Sequence, residues 1–254
     1  MPAPPDIAIV IPAYRAAVSI GAVLRAIPPE VRWIVVVDDG GTDDLATAVR
    51  AVGDPRIDLV THEVNRGVGA AVLSGYRRAV ELGAEIVVKL DADGQMDPAD
   101  LDALVAPLAA GEADYAKGNR FLWPGGWRQM PFARLVGNVV LSLLTRIASG
   151  YHHLFDSQCG YTAASRVALA AILAGPLFPR YGYPNDLLAR LAAAEVRVLD
   201  VPVRPVYGVD WRSGIRVPKV VGPLLGLLGR AFAQRVVRAF GRQRPEPVPP
   251  LPPA

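Results

Sequence analysis

Short segments that are apolar throughout alternate, over the first 110 residues, with stretches in which apolar residues recur at helical spacing. The apolar segments lie near 7–11, 31–37, 57–60 and 85–90, and the helical stretches near 16–26, 44–52, 68–82 and 98–110. Strands without a polar face indicate a parallel sheet that helices cover on both sides. The pattern therefore predicts an α/β fold with a Rossmann-like, mostly parallel sheet.

Acidic side chains stand where two of these strands end. Asp91 and Asp93 follow the fourth strand, and Asp38 and Asp39 close the second. Residues i and i+2 of an extended segment point the same way, so Asp91 and Asp93 can reach one hard divalent cation. Because ligands of such sheets bind at the carboxyl ends of the strands, we expect 12–14, 38–39 and 91–93 to share one rim.

The acidic run 38–44 has a second interpretation, a solvated turn that leads into a helix with Thr42 or Asp43 as its N-cap. This interpretation explains the end of the run. It leaves Asp38 and Asp39 unexplained, since four carboxylates in seven residues repel one another unless cations or donors share the site.

Two other nucleotide-binding classes are disfavoured. No Gly-x-Gly-x-x-Gly follows the first strand, and Gly67-Val-Gly69 comes after the third strand with Val72 at the last glycine position. A P-loop motif is also missing from the sequence. Gly67 and Gly69 therefore either shape a turn into a helix or allow a ligand to approach the backbone.

Five motifs resemble, in order, those of family-2 glycosyltransferases. They are Ile9-Val-Ile-Pro-Ala-Tyr14, Val36-Val-Asp-Asp-Gly-Gly-Thr-Asp43, Asn65-Arg-Gly-Val-Gly-Ala70, Leu90-Asp-Ala-Asp-Gly-Gln95 and Gly118-Asn-Arg120. The sequence is most similar to the branch that makes polyprenyl-phosphate sugars, the dolichyl-phosphate mannose synthase type, over roughly residues 6–210. The resemblance implies a GT-A-like fold and metal-dependent, inverting transfer of mannose or glucose. The donor would be GDP-mannose or a UDP-hexose, and the acceptor polyprenyl phosphate.

The resemblance also implies roles for individual residues. Mg²⁺ or Mn²⁺, which stabilises the charge that develops on the leaving diphosphate, would be bound by Asp91, Asp93 and Gln95. The nucleotide would contact Pro12, Ala13, Tyr14, Asp39, Asp91 and Ala92. The phosphates of donor and acceptor would face Arg120, Arg212, Arg216 and Lys219.

Asp156, in Asp156-Ser-Gln-Cys-Gly-Tyr161, would be the third catalytic carboxylate beside Asp91 and Asp93. It would act as a general base, or it would orient the acceptor or the sugar hydroxyls. A lipid phosphate is already largely ionised near neutral pH, since the second pKa of a monoester is about 6, and needs no base. A turn or helix cap is the alternative for Asp156.

The other assigned residues also have structural interpretations. Tyr14 could be a half-buried core aromatic, Gln95 an exposed polar residue and Arg120 a surface ion-pair partner. The chain also departs from the family pattern. Arg15-Ala-Ala17 stands where many members have Asn-Glu-Glu, and Gly41 replaces a common Ser. These departures leave the nucleobase of the donor open.

Composition and charge fit one enzyme domain with a basic end. The chain has 254 residues, 52% of them apolar, which is enough for a sizeable core. A net charge of +3 gives no indication of nucleic-acid binding. Between residues 211 and 244 there is no Asp or Glu, and the basic residues are Arg212, Arg216, Lys219, Arg230, Arg235, Arg238, Arg242 and Arg244.

Two segments in the second half are apolar enough to contact a membrane. Residues 132–149 predict either a core helix or an amphipathic helix at a bilayer surface, where a polyprenyl tail enters. Residues 217–240 carry apolar residues near helical spacing with arginines between them. Pro218 and Pro223 weaken a single straight helix, and the arginines argue against a bilayer-spanning one. Peripheral attachment to an anionic membrane is favoured over an ordinary packed helix.

The predicted organisation is a glycosyltransferase domain over 1–210, a basic amphipathic segment over 211–243 and a disordered Pro-rich tail over 244–254. Cys159 has no partner for an internal disulfide. The first residues lack the apolar segment of a secretory signal, so we expect a cytoplasmic protein, peripheral on the cytoplasmic face of a membrane.

A few assignments stay open. Tyr183-Pro-Asn-Asp186 precedes a predicted helix over 187–194, with Asp186 as its N-cap or as a sugar contact. A family-2 enzyme with a saccharide or small-molecule acceptor is the alternative function, and it requires Asp156 as a base. A non-catalytic nucleotide-sugar-binding protein is the other alternative, which only Arg15-Ala-Ala17 favours. The oligomeric state is unknown.

Overall fold

The computed structural model describes residues 4–206, 217–241 and 251. Within this part, a seven-stranded sheet in the order β3-β2-β1-β4-β6-β5-β7 forms the centre of the molecule. Arg212, Arg216 and the side chain of Lys219 lie outside the described part, so their predicted phosphate contacts remain predictions.

The first half of the chain alternates strands and helices as predicted. Its elements are β1 (Ile7–Ala13), α1 (Ala17–Arg25), β2 (Trp33–Asp38), α2 (Leu45–Arg50), β3 (Ile57–Thr61), α3 (Val68–Glu81) and β4 (Ile86–Lys89). Strands β1 to β4 are mutually parallel. The Rossmann-like, mostly parallel sheet is therefore confirmed.

The second half adds three strands and five helices. A 3-10 turn, Pro98–Asp100, leads into α4 (Leu101–Ala109), which is followed by β5 (Tyr115–Asn119), a 3-10 turn (Gly126–Gln129), α5 (Phe132–Ser149), β6 (Thr162–Ser165), α6 (Arg166–Leu173), α7 (Tyr183–Ala193), β7 (Val198–Pro202) and α8 (Val217–Gly241). Strand β6 runs antiparallel between β4 and β5 and makes the sheet mixed.

Helix α7 begins four residues earlier than the predicted 187–194, because Pro184 occupies its first turn, where a missing backbone N–H costs nothing. The N-cap position is Gly182, so the prediction that Asp186 caps this helix is wrong. The Asp186 carboxylate instead accepts a hydrogen bond from the backbone N–H of Phe178 at 2.8 Å. It holds the preceding segment against the helix.

Strands β1, β2 and β4 bury side chains on both faces of the sheet, whereas the edge strand β3 is partly buried. In β1, Ile9 and Ile11 face a cluster formed with α1, α2 and α4, while Ala8 and Val10 face a second cluster formed with α3, α6 and α7. This double burial is the physical reason for the uninterrupted apolar segments in the sequence.

Helices α5 and α8 pack against each other at the side of this core, around Ala148, Leu224, Leu228 and Ala231. Helix α8 continues through Pro223 as one element. Within residues 4–206 and 217–241, no helix is both long and apolar enough to cross a bilayer. The Pro-rich tail lies outside the described part except for Leu251, which is partly buried against the second cluster.

Candidate active site

The ends of β1, β2 and β4 meet at one rim, as predicted. Ala13 pairs with Asp38, and the backbone N–H of Leu90 donates to the carbonyl of Val10 at 3.0 Å. A cleft of about 710 Å³ opens along this rim. All the residues with a predicted nucleotide contact line it, namely Pro12, Ala13, Tyr14, Asp39, Asp91 and Ala92. Their contacts with a nucleotide remain predictions.

A second, smaller cavity of about 70 Å³ lies on the other side of the acidic motif. Asp91 and Asp93 line both cavities, whereas Gln95 and Arg120 line only the smaller one. The two carboxylates therefore stand between two spaces that could hold two different ligands.

Lys89 supports Asp91 from inside the sheet. Its ammonium contacts Asp91 Oδ1 although the side chain is only 2% exposed. Burial disfavours the charged ammonium, but the Asp91 carboxylate and the Tyr183 hydroxyl outweigh this effect, so the pKa of Lys89 is raised. Gly160 packs against the pair, since a Cβ there would lie 2.5 Å from Lys89 Nζ and 2.7 Å from Asp91 Oδ2.

The carboxylates fit a divalent cation. Burial, together with the neighbouring Asp91 charge, raises the pKa of Asp93 and outweighs the opposite effects of the Gln95 backbone N–H, Lys89 and Arg134. No donor among the described residues hydrogen-bonds to Asp91 Oδ2 or Asp93 Oδ2. Within the same part of the chain, no group of three His, Cys, Asp or Glu side chains could hold a metal. This donor set suits Mg²⁺ or Mn²⁺, which bind one or two carboxylates and complete their coordination with substrate phosphates and water.

Gln95 is held close to these carboxylates. Its backbone N–H donates to Asp93 Oδ1 at 3.0 Å, and its side-chain Oε1 accepts from Arg134 Nη1 at 3.3 Å. The amide oxygen is thus directed toward the guanidinium of Arg134, on helix α5. Its role as a metal ligand remains a prediction.

The Asp39 carboxylate is already bound by the protein. It is 2% exposed and accepts hydrogen bonds from the backbone N–H groups of Arg66 at 3.0 Å and Gly67 at 2.8 Å, and from Asn65 Nδ2 at 3.1 Å. His62 Nδ1 lies 2.8 Å from Asp39 Oδ1. Asp39 therefore fixes the loop that forms the floor of the cleft, a role that the sequence motif alone does not show.

The remaining acidic residues of this run close the turn. Asp44, not Thr42 or Asp43, is the N-cap of α2 and accepts from the backbone N–H of Thr47 at 3.2 Å. Asp43 accepts instead from the backbone N–H of Ala17 at 2.7 Å, at the start of α1. The predicted N-cap was therefore misplaced by one or two residues, since the residue nearest the helix bonds its first turn.

Gly67 and Gly69 make room for protein backbone. A Cβ on Gly67 would lie 2.2 Å from the carbonyl oxygen of Pro179, and one on Gly69 would lie 2.2 Å from that of Phe178. Gly67 also has a φ of +90°, which favours glycine. Of the two interpretations of these glycines, the structural one holds, because the segment before α7 occupies the space beside them.

Asp156 is buried and paired. Its side chain is 0% exposed, and it accepts three hydrogen bonds from Arg120, through the backbone N at 3.0 Å, Nε at 2.8 Å and Nη2 at 2.7 Å. Burial opposes ionisation, but Arg120 and Lys117 outweigh it and hold the pKa of Asp156 below its ordinary value. Asp156 lines neither cavity, so this geometry gives no support to the predicted general base or sugar contact, and both roles stay predictions.

Comparison with known proteins decides the family. The sequence profile described as "Glycosyl transferase family 2" matches residues 8–173. The chain belongs to glycosyl transferase family 2. It is 30% identical over 188 residues to the UDP-N-acetylglucosamine–dolichyl-phosphate N-acetylglucosaminyltransferase of Methanococcus voltae, covering 68% of this chain and 74% of that protein. It is also 30% identical over 241 residues to the polyprenol monophosphomannose synthase of Mycolicibacterium smegmatis, covering 90% of each.

The fold of this glycosyltransferase matches that of a solved relative. Glucosyl-3-phosphoglycerate synthase from Mycobacterium tuberculosis, crystallised with Mn²⁺, UDP and phosphoglyceric acid, superposes with a TM-score of 0.67. The match covers 90% of this chain and 78% of that chain at 23% identity. This likeness shows a GT-A-like fold.

Two arginines of the glycosyltransferase site were not found from the sequence. Arg134, near the start of α5, and Arg204, just after β7, line the smaller cavity together with Arg120. Arg204 Nη1 lies 3.3 Å from Asp97 Oδ2, and its guanidinium lies over the ring of Trp123 at 5.1 Å. No sequence motif indicated Arg204. Arg134 lies within the apolar segment 132–149, and no motif indicated it either.

Gln158 is the other missed residue of the smaller cavity. Its Nε2 donates to Asn185 Oδ1 at 3.0 Å, and Asn185 is itself 1% exposed. In Tyr183-Pro-Asn-Asp186 it is therefore Asn185, and not Asp186, that is joined to the site. The sequence signal was the motif itself.

Proposed function

We propose that this glycosyltransferase moves a hexose, mannose or glucose, from a nucleotide-sugar to polyprenyl phosphate at the cytoplasmic face of a membrane, with inversion at the anomeric carbon and with Mg²⁺ or Mn²⁺ bound. The observation that carries the proposal is the pair of cavities that share Asp91 and Asp93. One space accommodates a nucleotide, and the other is lined by three arginines.

The larger cleft supports the donor assignment. Its volume of about 710 Å³ lies within the range of about 300–1,000 Å³ that is usual for small-molecule sites. It extends from Pro12 and Tyr14 to Asp91 and Asp93. A nucleoside near β1 would place its diphosphate at the carboxylates, where GDP-mannose or a UDP-hexose would be activated.

The smaller cavity supports a phosphate as the acceptor. Arg120, Arg134 and Arg204 line it, and guanidinium groups bind phosphate oxygens through charge-assisted hydrogen bonds. A phosphate monoester is largely ionised at neutral pH, with a second pKa of about 6. Such an acceptor needs no general base, which agrees with the burial of Asp156. A saccharide hydroxyl would need one.

The proposed reaction follows from this placement. An oxygen of the acceptor phosphate forms a bond to the anomeric carbon as the bond from that carbon to the donor diphosphate breaks, and the nucleoside diphosphate leaves. Attack from the cavity opposite the leaving group inverts the anomeric configuration. Asp91 and Asp93 would hold the cation, which supplies electrostatic stabilisation of the leaving diphosphate. Arg120 is kept in place by Asp156 throughout.

Helix α5 supports a membrane location, because its polarity is inverted. Its inner face buries polar side chains, namely Asn138, Ser142, Thr145 and Ser149. Its outer face exposes a stripe of apolar side chains at helical spacing, namely Phe132, Val136, Val140, Leu143 and Ile147. We call these five residues the α5 stripe. Water disfavours such a surface, whereas the interface of a bilayer favours it.

Helix α8 lies beside the α5 stripe and has a similar character. It exposes Leu225, Phe232, Val237 and Phe240 and carries Arg230, Arg235 and Arg238. Arginine beside apolar residues fits an anionic lipid surface. The acceptor cavity begins at Arg134, on the same helix as the stripe, so a polyprenyl phosphate could reach it from the bilayer.

The test is transfer of label from GDP-mannose, UDP-glucose and UDP-N-acetylglucosamine into an organic-extractable product, with polyprenyl phosphate and Mn²⁺ or Mg²⁺. We expect lipid-phase label that EDTA abolishes and that Asp93→Asn removes. Asp102→Asn is the matched control, since Asp102 is exposed on α4 away from both cavities. Donor hydrolysis without a lipid product would contradict the assignment of polyprenyl phosphate as the acceptor. The absence of both donor hydrolysis and lipid product would contradict the proposed transferase activity.

A further inference from the structure

The larger cleft is lined by an arginine that belongs to none of the sequence motifs. Arg180 lines it together with Asp91, Ala92 and Asp93. The residue is exposed, and no carboxylate within the described residues pairs with its guanidinium. We propose that Arg180 binds the diphosphate of the nucleotide-sugar donor, an inference that rests on the function proposed above.

Hydrogen bonds fix the backbone around Arg180, and they thereby fix the point from which its side chain extends into the cleft. The carbonyl oxygen of Pro179 accepts from the backbone N–H of Gly69 at 3.0 Å, and Phe178 donates to Asp186 at 2.8 Å. The carbonyl of Arg180 accepts from the backbone N–H of Tyr183 at 2.9 Å. The segment is thus anchored on both sides of Arg180.

This anchoring places Arg180 between the loop that Asp39 holds and the Lys89–Asp91 pair. Tyr183, one turn later, contacts Lys89, whose Nζ lies 5.9 Å from the centre of the Tyr183 ring, and Lys89 contacts Asp91. A Cβ on Gly67 would lie 3.4 Å from Arg180 Cγ, so this glycine leaves room for the side chain to run along the floor of the cleft.

The charges in the cleft call for such a cation. Asp91 and Asp93 line the cleft where the donor diphosphate would add two further negative charges, and Arg180 lines the same cleft. A guanidinium is well suited to share phosphate oxygens beside a divalent cation.

Arg15 is the other cation that lines the cleft, and its place is different. Its guanidinium lies over the ring of Tyr14 at 5.3 Å, and its backbone N–H would be 3.3 Å from a Cβ on Gly41. It therefore stands at the end of β1 and β2, where the nucleoside is expected. Of the two arginines that line the larger cleft within the described residues, Arg180 is therefore the one assigned to the diphosphate.

The test measures binding rather than turnover. UDP and GDP, and the nucleosides uridine and guanosine, are titrated by calorimetry into the full chain with Mn²⁺, for the wild type and for Arg180→Gln, Arg180→Lys and Arg77→Gln. Arg77 is an exposed arginine on α3 that lines neither cavity, which makes it the matched control.

We expect Arg180→Gln to weaken the bound nucleoside diphosphate by about tenfold or more, because hydrogen bonds to charged groups are lost, and to leave the nucleoside unchanged. Arg180→Lys should recover part of the loss, and Arg77→Gln should match the wild type. Equal diphosphate affinity in wild type and Arg180→Gln would overturn the inference, and so would an equal loss for nucleoside and diphosphate. If the wild type binds neither UDP nor GDP, the donor site itself fails, and the inference fails with it.

Discussion

Asp156 and Arg120 form a buried ion pair in which one carboxylate accepts three hydrogen bonds from one arginine. Asp156 holds this position with a φ of +58°, which is uncommon for a residue with a side chain. Lys117 donates to the carbonyl oxygens of Asp156 and Cys159 and secures the same loop from below. The pair therefore positions Arg120 at the acceptor cavity, and Asp156 itself does not line that cavity.

Removal of the Asp156 charge should lower the free energy of unfolding and leave the pH dependence of catalysis unchanged. Asp156→Ala removes the carboxylate that accepts three hydrogen bonds from the buried Arg120, which costs about 3–5 kcal/mol in the free energy of unfolding. The milder Asp156→Asn should retain some activity with the pH–rate profile of the wild type. Loss of an acidic limb from that profile would show that Asp156 is a base after all.

The acid stability of the protein should also depend on Asp156. Its pKa is lowered in the fold, so its contribution to stability is present above the pKa of an unfolded Asp, about 3.9, and is lost as the pH falls through the native pKa. Between these values the unfolded chain binds more protons. Urea unfolding at a series of pH values should therefore show a steeper loss below about pH 4 for the wild type than for Asp156→Asn.

Gly160 should be essential for metal binding. A methyl group there would displace the Lys89 and Asp91 side chains, since its Cβ would lie 2.5 Å from Nζ and 2.7 Å from Oδ2. Because such displacement of a ligand's support typically costs about 10–100-fold in metal affinity, we expect that loss for Gly160→Ala in Mn²⁺ titrations followed by electron paramagnetic resonance. Gly137→Ala, on an exposed face of α5 with open space around it, should bind Mn²⁺ as the wild type does. Unchanged affinity in Gly160→Ala would refute the arrangement.

Arg134 and Arg204 should serve the acceptor and not the donor. We expect Arg134→Gln and Arg204→Gln each to raise the KM for polyprenyl phosphate by about tenfold or more, as a charged hydrogen bond is lost, with little change in the KM for the nucleotide-sugar. Steady-state kinetics with each substrate varied in turn makes this distinction. Arg50→Gln, an exposed change on α2, is the control. A rise confined to the donor KM would assign the small cavity to the donor.

The α5 stripe should govern attachment to membranes. Val140→Ser and Ile147→Ser each remove an apolar side chain that would be buried in the interface, so vesicle binding should weaken by about tenfold per residue. Sedimentation with vesicles that contain anionic lipid measures this. Val18→Ser is the control, since Val18 is a fully exposed apolar residue on α1. If both stripe variants sediment like the wild type, α5 is not the docking face.

The sequence predicted the parallel half of the sheet because each of its strands is apolar on both faces. It missed β5, β6 and β7, and the first two of these contain buried polar residues. Lys117 in β5 and Thr162 in β6 pair in register, and Thr162 also pairs with Lys89 of β4. These three side chains are buried, so the apolar pattern fails where the strands carry part of the site.

The candidate site was predictable in outline and not in detail. The motif positions identified the cleft, because strand ends of a parallel sheet share one edge. The pattern could not show that Asp39 is saturated by protein donors or that Asp156 is paired with Arg120. Both facts depend on contacts between residues that lie far apart in the chain. The sequence also could not show that α5 buries its polar side chains and exposes apolar ones, since an apolar segment does not reveal which face of the helix is covered.

The most direct test of the central claim compares acceptors with and without a phosphate, and with and without a polyprenyl chain. With the preferred donor and Mn²⁺, transfer to polyprenyl phosphate is measured against transfer to the same polyprenol without phosphate and to 3-phosphoglycerate. The account predicts an acid-labile glycosyl phosphate in the lipid phase and no product from polyprenol, because three arginines line the acceptor cavity and its two carboxylates, Asp91 and Asp93, are assigned to the cation. Equal transfer to polyprenol, or transfer to 3-phosphoglycerate alone, would contradict it.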